Sequence, residues 1–352
     1  MRGRRLHLRD GAALLLAVAL LFPAASGQAA VKSKPAAKYE IVELPIRPLS
    51  VSNSGWVAGA DKNQHAATWN TKGELSHIPL PSKFNFSECS SINSRGDAAC
   101  TAATEDSTSR MAFVVRNHEV AWLPGQQSRA SSINEDGEIA GQAIAPGGKR
   151  SGPVLWKNNS AIDLNLCCAG GARAINGRHQ IAGDSYDEAG KYHAFVWDEM
   201  NGARRLNVAG AEYSSALALN DDGVVLVKAT PGGLFFFSGD RSRPVDIPKG
   251  SPRAMNNDRT VVGSFGPDPA HQRAFVWNED GGIEDLNILI PPNSGWTLEV
   301  ASGVNDRGEI VGWGDHGGID NAGFLLRPLP DGHKPGAAIR SRPTAHAIPH
   351  SH

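Results

Sequence analysis

Two stretches of the chain decide the fold: SINEDGEIAG at residues 132–141 and GVNDRGEIVG at residues 303–312. In both, an apolar residue precedes Asn, two polar residues and Gly follow, and a second apolar residue lies five positions after the Asn. This frame recurs at intervals of 41, 41, 42, 44, 36 and 49 residues, so the chain carries seven copies. The Asn position is held by Ser52, Asn93, Asn134, Asn176, Asn220, Asn256 and Asn305.

Each copy of the frame predicts a β-hairpin. Asn or Ser at the first position of a type I turn bonds the turn backbone. Gly three positions later accepts a positive φ and forms a G1 bulge; His179 and Arg259 replace it in two copies. The bulge places the two apolar residues of the frame opposite each other, on one side of the sheet. A calcium loop is disfavoured, because an apolar residue lies where an oxygen ligand is needed.

Two further elements follow each hairpin. One is a short apolar strand, such as His193-Ala-Phe-Val-Trp197, and the other is a brief strand, such as Val245-Asp-Ile-Pro248. Four strands in about 42 residues are typical of a propeller blade. We therefore predict an all-β, seven-bladed propeller with four short antiparallel strands per blade over residues 39–330. The last repeat lacks a fourth strand, so the strand Tyr39–Pro45 is expected to pair beside residues 322–328 and close the ring.

These motifs resemble the HAF-repeat family of extracellular repeat proteins, named for a His-Ala-Phe element that is intact at His193-Ala194-Phe195. The resemblance covers residues 39–328 and is closest at the C-terminal end, in Ser294-Gly-Trp-Thr-Leu298 and Val304-Asn-Asp-Arg-Gly-Glu-Ile-Val-Gly312. The second, third and fifth repeats depart from the pattern. The resemblance implies export and repetition, and it implies no activity for particular residues.

The two ends of the chain predict export and a polar tail. Residues 1–29 join a basic start, a 12-residue apolar run and small residues, the layout of a secretory signal peptide that is too short to span a bilayer. Residues 30–38 form a polar linker, and residues 331–352 a His- and Pro-rich tail expected to be disordered. Without residues 1–29, 31 basic and 35 acidic residues remain. We therefore expect a monomer in the periplasm or outside the cell, with no membrane span and no nucleic-acid partner.

Cysteine usage predicts one disulfide. Cys89 and Cys100 replace residues that are Ala or Gly in most other repeats, and paired changes in an exported protein favour a Cys89–Cys100 bond. The expected hairpin register opposes the bond, because it places Cys100 opposite Ser90. The adjacent Cys167 and Cys168 allow either a vicinal disulfide or two thiols, with thiols favoured.

No catalytic constellation, metal site or cofactor site is expected. The chain lacks a Gly-x-Ser-x-Gly elbow, a His-Glu-x-x-His motif, a Walker-type loop and a Cys-x-x-Cys pair. The main hypothesis is a non-catalytic module that binds a glycan, peptide or protein. The alternative is a carbohydrate-active hydrolase or lyase, which needs two suitably spaced carboxylates.

The ligand site is expected on the face that carries the loops between second and third strands, because these loops vary while the first hairpins are nearly constant. Aromatic, Asp and His side chains there suit glycans or peptides. Packing of the last blade is an equal interpretation for Trp296 and Trp313. The candidate binding residues are Tyr186, Asp187, Tyr192, Trp296, Trp313, Asp315 and His316.

Overall fold

A computed structural model describes residues 37–166, 168–268 and 271–330. The described residues form seven four-stranded antiparallel sheets, which confirms the seven-bladed propeller. The first strand of each sheet contacts the first strand of both neighbouring sheets, so the seven first strands surround the axis. Within the described residues, no helix has the length and apolar character needed to cross a bilayer. The predicted signal peptide, most of the linker and the C-terminal tail lie outside the described residues.

The strands of blades 1 to 3 follow the repeat boundaries. Blade 1 consists of β2 (Arg47–Val51), β3 (Val57–Ala60), β4 (Ala66–Trp69) and β5 (Leu75–His77). Blade 2 consists of β6 (Phe86–Ile92), β7 (Ala98–Ala103), β8 (Arg110–Arg116) and β9 (Glu119–Trp122). Blade 3 consists of β10 (Gln126–Ile133), β11 (Ile139–Ile144), β12 (Gly152–Lys157) and β13 (Ser160–Asp163).

Blades 4 to 7 continue the order, and the last is completed by the N-terminal strand. Blade 4 consists of β14 (Gly170–Ile175), β15 (Ile181–Tyr186), β16 (Tyr192–Asp198) and β17 (Gly202–Arg205). Blade 5 consists of β18 (Tyr213–Leu219), β19 (Val224–Thr230), β20 (Gly233–Ser238) and β21 (Arg241–Val245). Blade 6 consists of β22 (Gly250–Met255), β23 (Val261–Phe265), β24 (Arg273–Asn278) and β25 (Gly282–Asp285), followed by a 3₁₀ turn (Leu286–Ile288). Blade 7 consists of β26 (Trp296–Val304), β27 (Ile310–His316), β28 (Ile319–Pro328) and β1 (Tyr39–Leu44).

The predicted hairpin register is confirmed in all seven blades. The apolar residue before each Asn position pairs with the apolar residue five after it, as in Ile133↔Ile139 and Val304↔Ile310. The turn requires a left-handed backbone at the Gly position: Gly137 has φ 81°, and the exceptions His179 and Arg259 adopt φ 60° and 61°. The two exceptions therefore keep the turn geometry at a steric cost.

A second bulge corrects the expected position of the cysteines. In blade 2 the register shifts between Cys89 and Ser91, so Ser90 is bulged out and Cys89 lies opposite Cys100. The expectation that Cys100 lies opposite Ser90 was wrong, since it counted only the bulge in the turn. The disulfide Cys89–Cys100 forms as predicted. Cys167 lies outside the described residues, so the state of the adjacent pair stays a prediction.

Ring closure by the N-terminal strand is confirmed. β1 pairs antiparallel with β28 in the register Ile41↔Leu326 and Glu43↔Phe324. Leu44 and Ile46, at the end of this strand, are buried in the core between blades 7 and 1. The N-terminal segment thus supplies the outermost strand of blade 7 and leads directly into the innermost strand of blade 1.

A ring of side-chain hydrogen bonds joins each blade to the next at the first hairpins. Each Asn side-chain oxygen accepts from its own turn backbone, as Asn134 does from Asp136 and Glu138 at 3.1 and 2.9 Å. Its Nδ2 then donates to a carbonyl of the next blade, a role that the sequence analysis missed. Blade 1 has Ser52 at the turn position, and there the Ser54 hydroxyl donates to the Ser94 carbonyl instead. The six bonds from Asn are Asn93–Asn134, Asn134–Asn176, Asn176–Asn220, Asn220–Asn257, Asn256–Asn305 and Asn305–Ser52.

Candidate functional site

The propeller has two faces with different chemistry. The hairpin face carries the turns between first and second strands, and the loop face carries the connections between second and third strands, whose lengths vary from blade to blade. A cavity of about 200 Å³ opens at the centre of the hairpin face, and the Asn turns line it. Its carboxylates already accept backbone hydrogen bonds from a neighbouring blade: Gly177 N–H donates to Asp221 and Asn257 N–H donates to Asp306, both at 2.8 Å. These carboxylates therefore serve as hydrogen-bond acceptors between neighbouring blades.

Three tyrosines form an aromatic cluster on the loop face between blades 4 and 5. The rings of Tyr186 and Tyr192 meet edge to face at 6.1 Å, and Tyr192 lies 5.1 Å from Tyr213. Tyr186 is 44% exposed, so part of the cluster is open to solvent. The Lys191 ammonium lies 5.9 Å from the Tyr213 ring. Two predicted site residues thus meet, and Tyr213 joins them from the next blade.

Asp187 organises the loop beside this cluster. One of its oxygens accepts from the backbone of Ala189 and Lys191, and the other lies 3.0 Å from His193 Nε2. The hydrogen bond from Lys191 N–H, together with those from His193 and Ala189, holds the Asp187 pKa below its usual range. Asp187 therefore remains ionised at neutral pH, and its main effect is to fix the loop that carries Tyr186 and Tyr192.

A second aromatic group lies on blade 7. Trp296 and His316 stack in parallel with ring centroids 4.3 Å apart, and both are partly exposed. His316 Nδ1 lies 3.1 Å from a carboxylate oxygen of Glu43, on the N-terminal strand. Trp296 also contacts the buried Phe324 edge to face. Blades 5 and 6 lie between this group and Tyr186, so the predicted site residues form two groups on the same face.

Trp313 differs from the expectation of an exposed aromatic ring. It is only 6% exposed, and two guanidinium groups cover it: Arg47 lies 4.2 Å and Arg253 5.5 Å from the indole centroid. Burial and the positive charge of Arg47 lower the pKa of Arg253. Of the two interpretations of Trp313 from the sequence, ligand binding and packing of the last blade, the structure supports packing. The two arginines over the indole were not among the predicted site residues.

Blade 7 also carries three acidic side chains that influence one another: Glu299, Asp315 and Asp320. Burial raises the pKa of Glu299, and the negative charges of Asp320 and Asp315 raise it further. Asp315 also accepts from Gly318 N–H at 3.3 Å, within the turn that connects β27 and β28. Within the described residues, no group of three or more His, Cys, Asp or Glu side chains has the geometry to hold a metal ion.

Arg47 and Arg253 were not predicted from the sequence for one common reason. Arg47 and Arg253 contact Trp313 because blades 1, 6 and 7 adjoin at the point where the ring closes. In sequence, Arg47 and Trp313 lie at opposite ends of the propeller, so only the closed ring brings them together. Alignment of the repeats gave a weak signal, because Arg129 and Arg173 hold the same positions in blades 3 and 4.

Comparisons with known proteins support the fold and leave the activity open. No family model matches the chain, and neither does any curated protein. The β-propeller domain of the Trilobed protease from Pyrococcus furiosus superposes with a TM-score of 0.53 at 13% identity, over 84% of this chain and 99% of that domain. That domain is described as having an open Velcro topology, whereas here β1 pairs with β28.

Two other solved structures share the architecture. YCF48 bound to D1 peptide superposes with a TM-score of 0.52 at 12% identity, over 84% of this chain and 97% of that chain. A puromycin-hydrolyzing peptidase from Mycobacterium tuberculosis gives a TM-score of 0.51 at 13% identity, over 83% of this chain and 53% of that one. At such identities the likeness shows the β-propeller fold and does not define a ligand; the seven sheets of this chain make it a seven-bladed β-propeller.

Proposed function

We propose that this protein is an exported, non-catalytic binding module whose ligand site lies on the loop face of the propeller. The observation that carries the proposal is the partly exposed cluster of Tyr186, Tyr192 and Tyr213, held by the ordered loop at Asp187. Tyrosine offers a rigid apolar ring with a polar tip, which suits the alternating apolar and hydroxyl surface of a sugar. A glycan is therefore the ligand class that we put first.

The rest of the molecule is consistent with a rigid scaffold that displays these groups. The inter-blade ring of hydrogen bonds fixes the hairpin face. Both aromatic groups lie on the loop face, at the strand ends that are farthest from this ring. YCF48, a propeller of the same architecture, is bound to a peptide. A peptide ligand is therefore the first competitor of a glycan.

A glycan array tests this function. The protein without residues 1–29 is applied beside a Tyr186→Ala/Tyr192→Ala variant. Met200→Ala is the matched control, because Met200 is 91% exposed in the same blade and lies in a turn on the hairpin face. We expect the parent protein to bind a defined set of glycans. The double tyrosine variant should lose this binding, and Met200→Ala should keep it. No glycan bound by the parent protein, or equal binding by both variants, would contradict it.

Export is proposed from the sequence of residues 1–29 and is tested separately. Intact-mass measurement of the secreted product should place the mature N-terminus between Ser26 and Val31. A secreted product that retains the first 25 residues would overturn this proposal.

A carbohydrate-active hydrolase or lyase is the second candidate, and one observation favours it. The raised pKa of Glu299 is the property of a general acid in sugar cleavage, and Asp315 and Asp320 lie close enough to influence it. Incubation of any bound oligosaccharide with the protein tests this candidate. Cleavage products that disappear in Glu299→Gln would establish the enzyme, and an unchanged oligosaccharide would exclude it for that substrate.

A further inference from the structure

Two guanidinium groups lie against one buried indole on the second strand of blade 7. Arg47 comes from β2 of blade 1 and Arg253 from β22 of blade 6, and both lie within 5.5 Å of the Trp313 centroid. Cation–π contact with an indole holds a guanidinium in a fixed plane and leaves its N–H edge free to donate. Both side chains also keep contact with solvent, so a dissolved ligand has access to them.

Neither charge is compensated by the protein. Within the described ranges, the guanidinium groups of Arg47 and Arg253 form no ion pair and no hydrogen bond with a protein acceptor. The repeat offers a direct comparison for Arg47: Arg129 holds the same position in blade 3, five residues before the turn Asn, and it forms an ion pair with Glu88 at 3.6 Å. Blade 1 therefore keeps the cation and lacks its acidic partner.

The same comparison holds for Arg253. Arg173 occupies the equivalent position in blade 4, three residues before the turn Asn, and it is bonded to Asp184, which raises the pKa of the arginine. At Arg253 the shift is opposite: burial and the charge of Arg47 lower the pKa. Two like charges thus lie within 5.5 Å of one indole centroid with no acidic partner in the described residues, an arrangement that an anion would stabilise.

We infer that Arg47 and Arg253, supported by Trp313, form a binding site for the carboxylate group of an acidic sugar. Two guanidinium groups donate in-plane N–H pairs, which match the geometry of a carboxylate. The inference rests on the proposed function, because it assigns the acidic group of the glycan to this site. A neutral sugar leaves both charges uncompensated, so the site discriminates between acidic and neutral ligands.

Isothermal titration with glucuronate, glucose and inorganic sulfate tests the inference at low ionic strength. The protein without residues 1–29 is compared with Arg47→Met and Arg253→Met, and Arg129→Met and Arg173→Met serve as matched controls because each also removes one guanidinium at the same repeat position. We expect glucuronate to bind and glucose not to bind. The affinity for glucuronate should fall at least tenfold in Arg47→Met and Arg253→Met and stay unchanged in the two control variants. Melting temperatures show whether each variant is folded.

The alternative results separate the possible failures. Equal affinity of all four variants for glucuronate, or equal binding of glucose and glucuronate, would overturn the inference. Sulfate binding as tight as glucuronate would show a general oxyanion site and overturn the assignment to a sugar. If neutral glycans bind on the array while no anion binds in titration, the binding function stands and this inference fails.

Discussion

Replacement of Asn305 by Ala should weaken the propeller at the bond that joins the last blade to the first. Asn305 is 3% exposed. Its Nδ2 donates to the Ser52 carbonyl at 2.9 Å and to the Glu309 carboxylate at 2.6 Å. Its Oδ1 accepts from the backbone N–H groups of Arg307 and Glu309 at 3.1 and 2.9 Å. The substitution removes all four hydrogen bonds and leaves their partners in place.

The chain contains a matched control for this change. Asn70, in the hairpin between β4 and β5, accepts from Lys72 and Glu74 N–H and donates to the Glu74 side chain, but it makes no bond to another blade within the described residues. A hydrogen bond contributes about 1 kcal/mol net, and a buried group left unsatisfied costs about 1–3 kcal/mol. We therefore expect a loss of about 3 kcal/mol for Asn305→Ala and about 1 kcal/mol for Asn70→Ala, because water replaces the exposed bonds.

Urea denaturation of the two variants measures this difference. Asn305→Ser introduces the residue type that blade 1 has at the equivalent position, Ser52. Its loss of unfolding free energy should be intermediate, because the hydroxyl keeps one acceptor for the turn backbone. Equal free energies of unfolding for Asn305→Ala and Asn70→Ala would refute the idea that the inter-blade bond, and not the turn alone, accounts for the Asn in the repeat.

Three further predictions concern closure, the disulfide and pH. Deletion of residues 31–46 removes β1 and should lower the melting temperature by more than 10 °C in calorimetry, whereas a change within two degrees would contradict closure. Cys89→Ala/Cys100→Gly restores residues common in other repeats and should cost about 3 kcal/mol in urea, the entropy of so short a loop; unchanged stability would show that the bond contributes nothing. Burial, followed by the charge of Glu284, raises the pKa of Tyr39 to about 12. Since the folded pKa exceeds the unfolded value of about 10, stability should be complete below pH 10 and fall from pH 10 to 12; an identical fall in Tyr39→Phe would refute this cause.

Much of the fold follows from the sequence because a propeller repeats one local pattern. The apolar residues on either side of each turn fix the hairpin register, and the missing strand of the last repeat identifies its N-terminal partner. The second bulge, at Ser90, has no comparable signature, because a bulged serine looks like an ordinary strand residue in sequence. The position of the two cysteines was therefore misjudged even though their pairing was predicted.

The candidate site was only partly predictable, for a topological reason. Tyr186 and Tyr192 flank one loop, so their contact follows from local sequence. The contact of Arg47 and Arg253 with Trp313 arises because closure brings the first blade beside the last one. Local patterns carry no information about such contacts, and the unpaired charge becomes evident only when equivalent arginines are compared in three dimensions.

We expect the ligand to bind the loop face, and affinity measurements on variants of the two faces test this placement. The affinity for the best glycan from the array is measured for two variants of the protein. One carries Tyr186→Ala, Tyr192→Ala and His316→Ala on the loop face, and the other carries Asn53→Ala and Glu135→Ala on the hairpin face. Affinity should fall at least tenfold in the first variant and stay unchanged in the second. Unchanged affinity in the first variant with a loss in the second would place the ligand at the hairpin-face cavity and refute a site on the loop face.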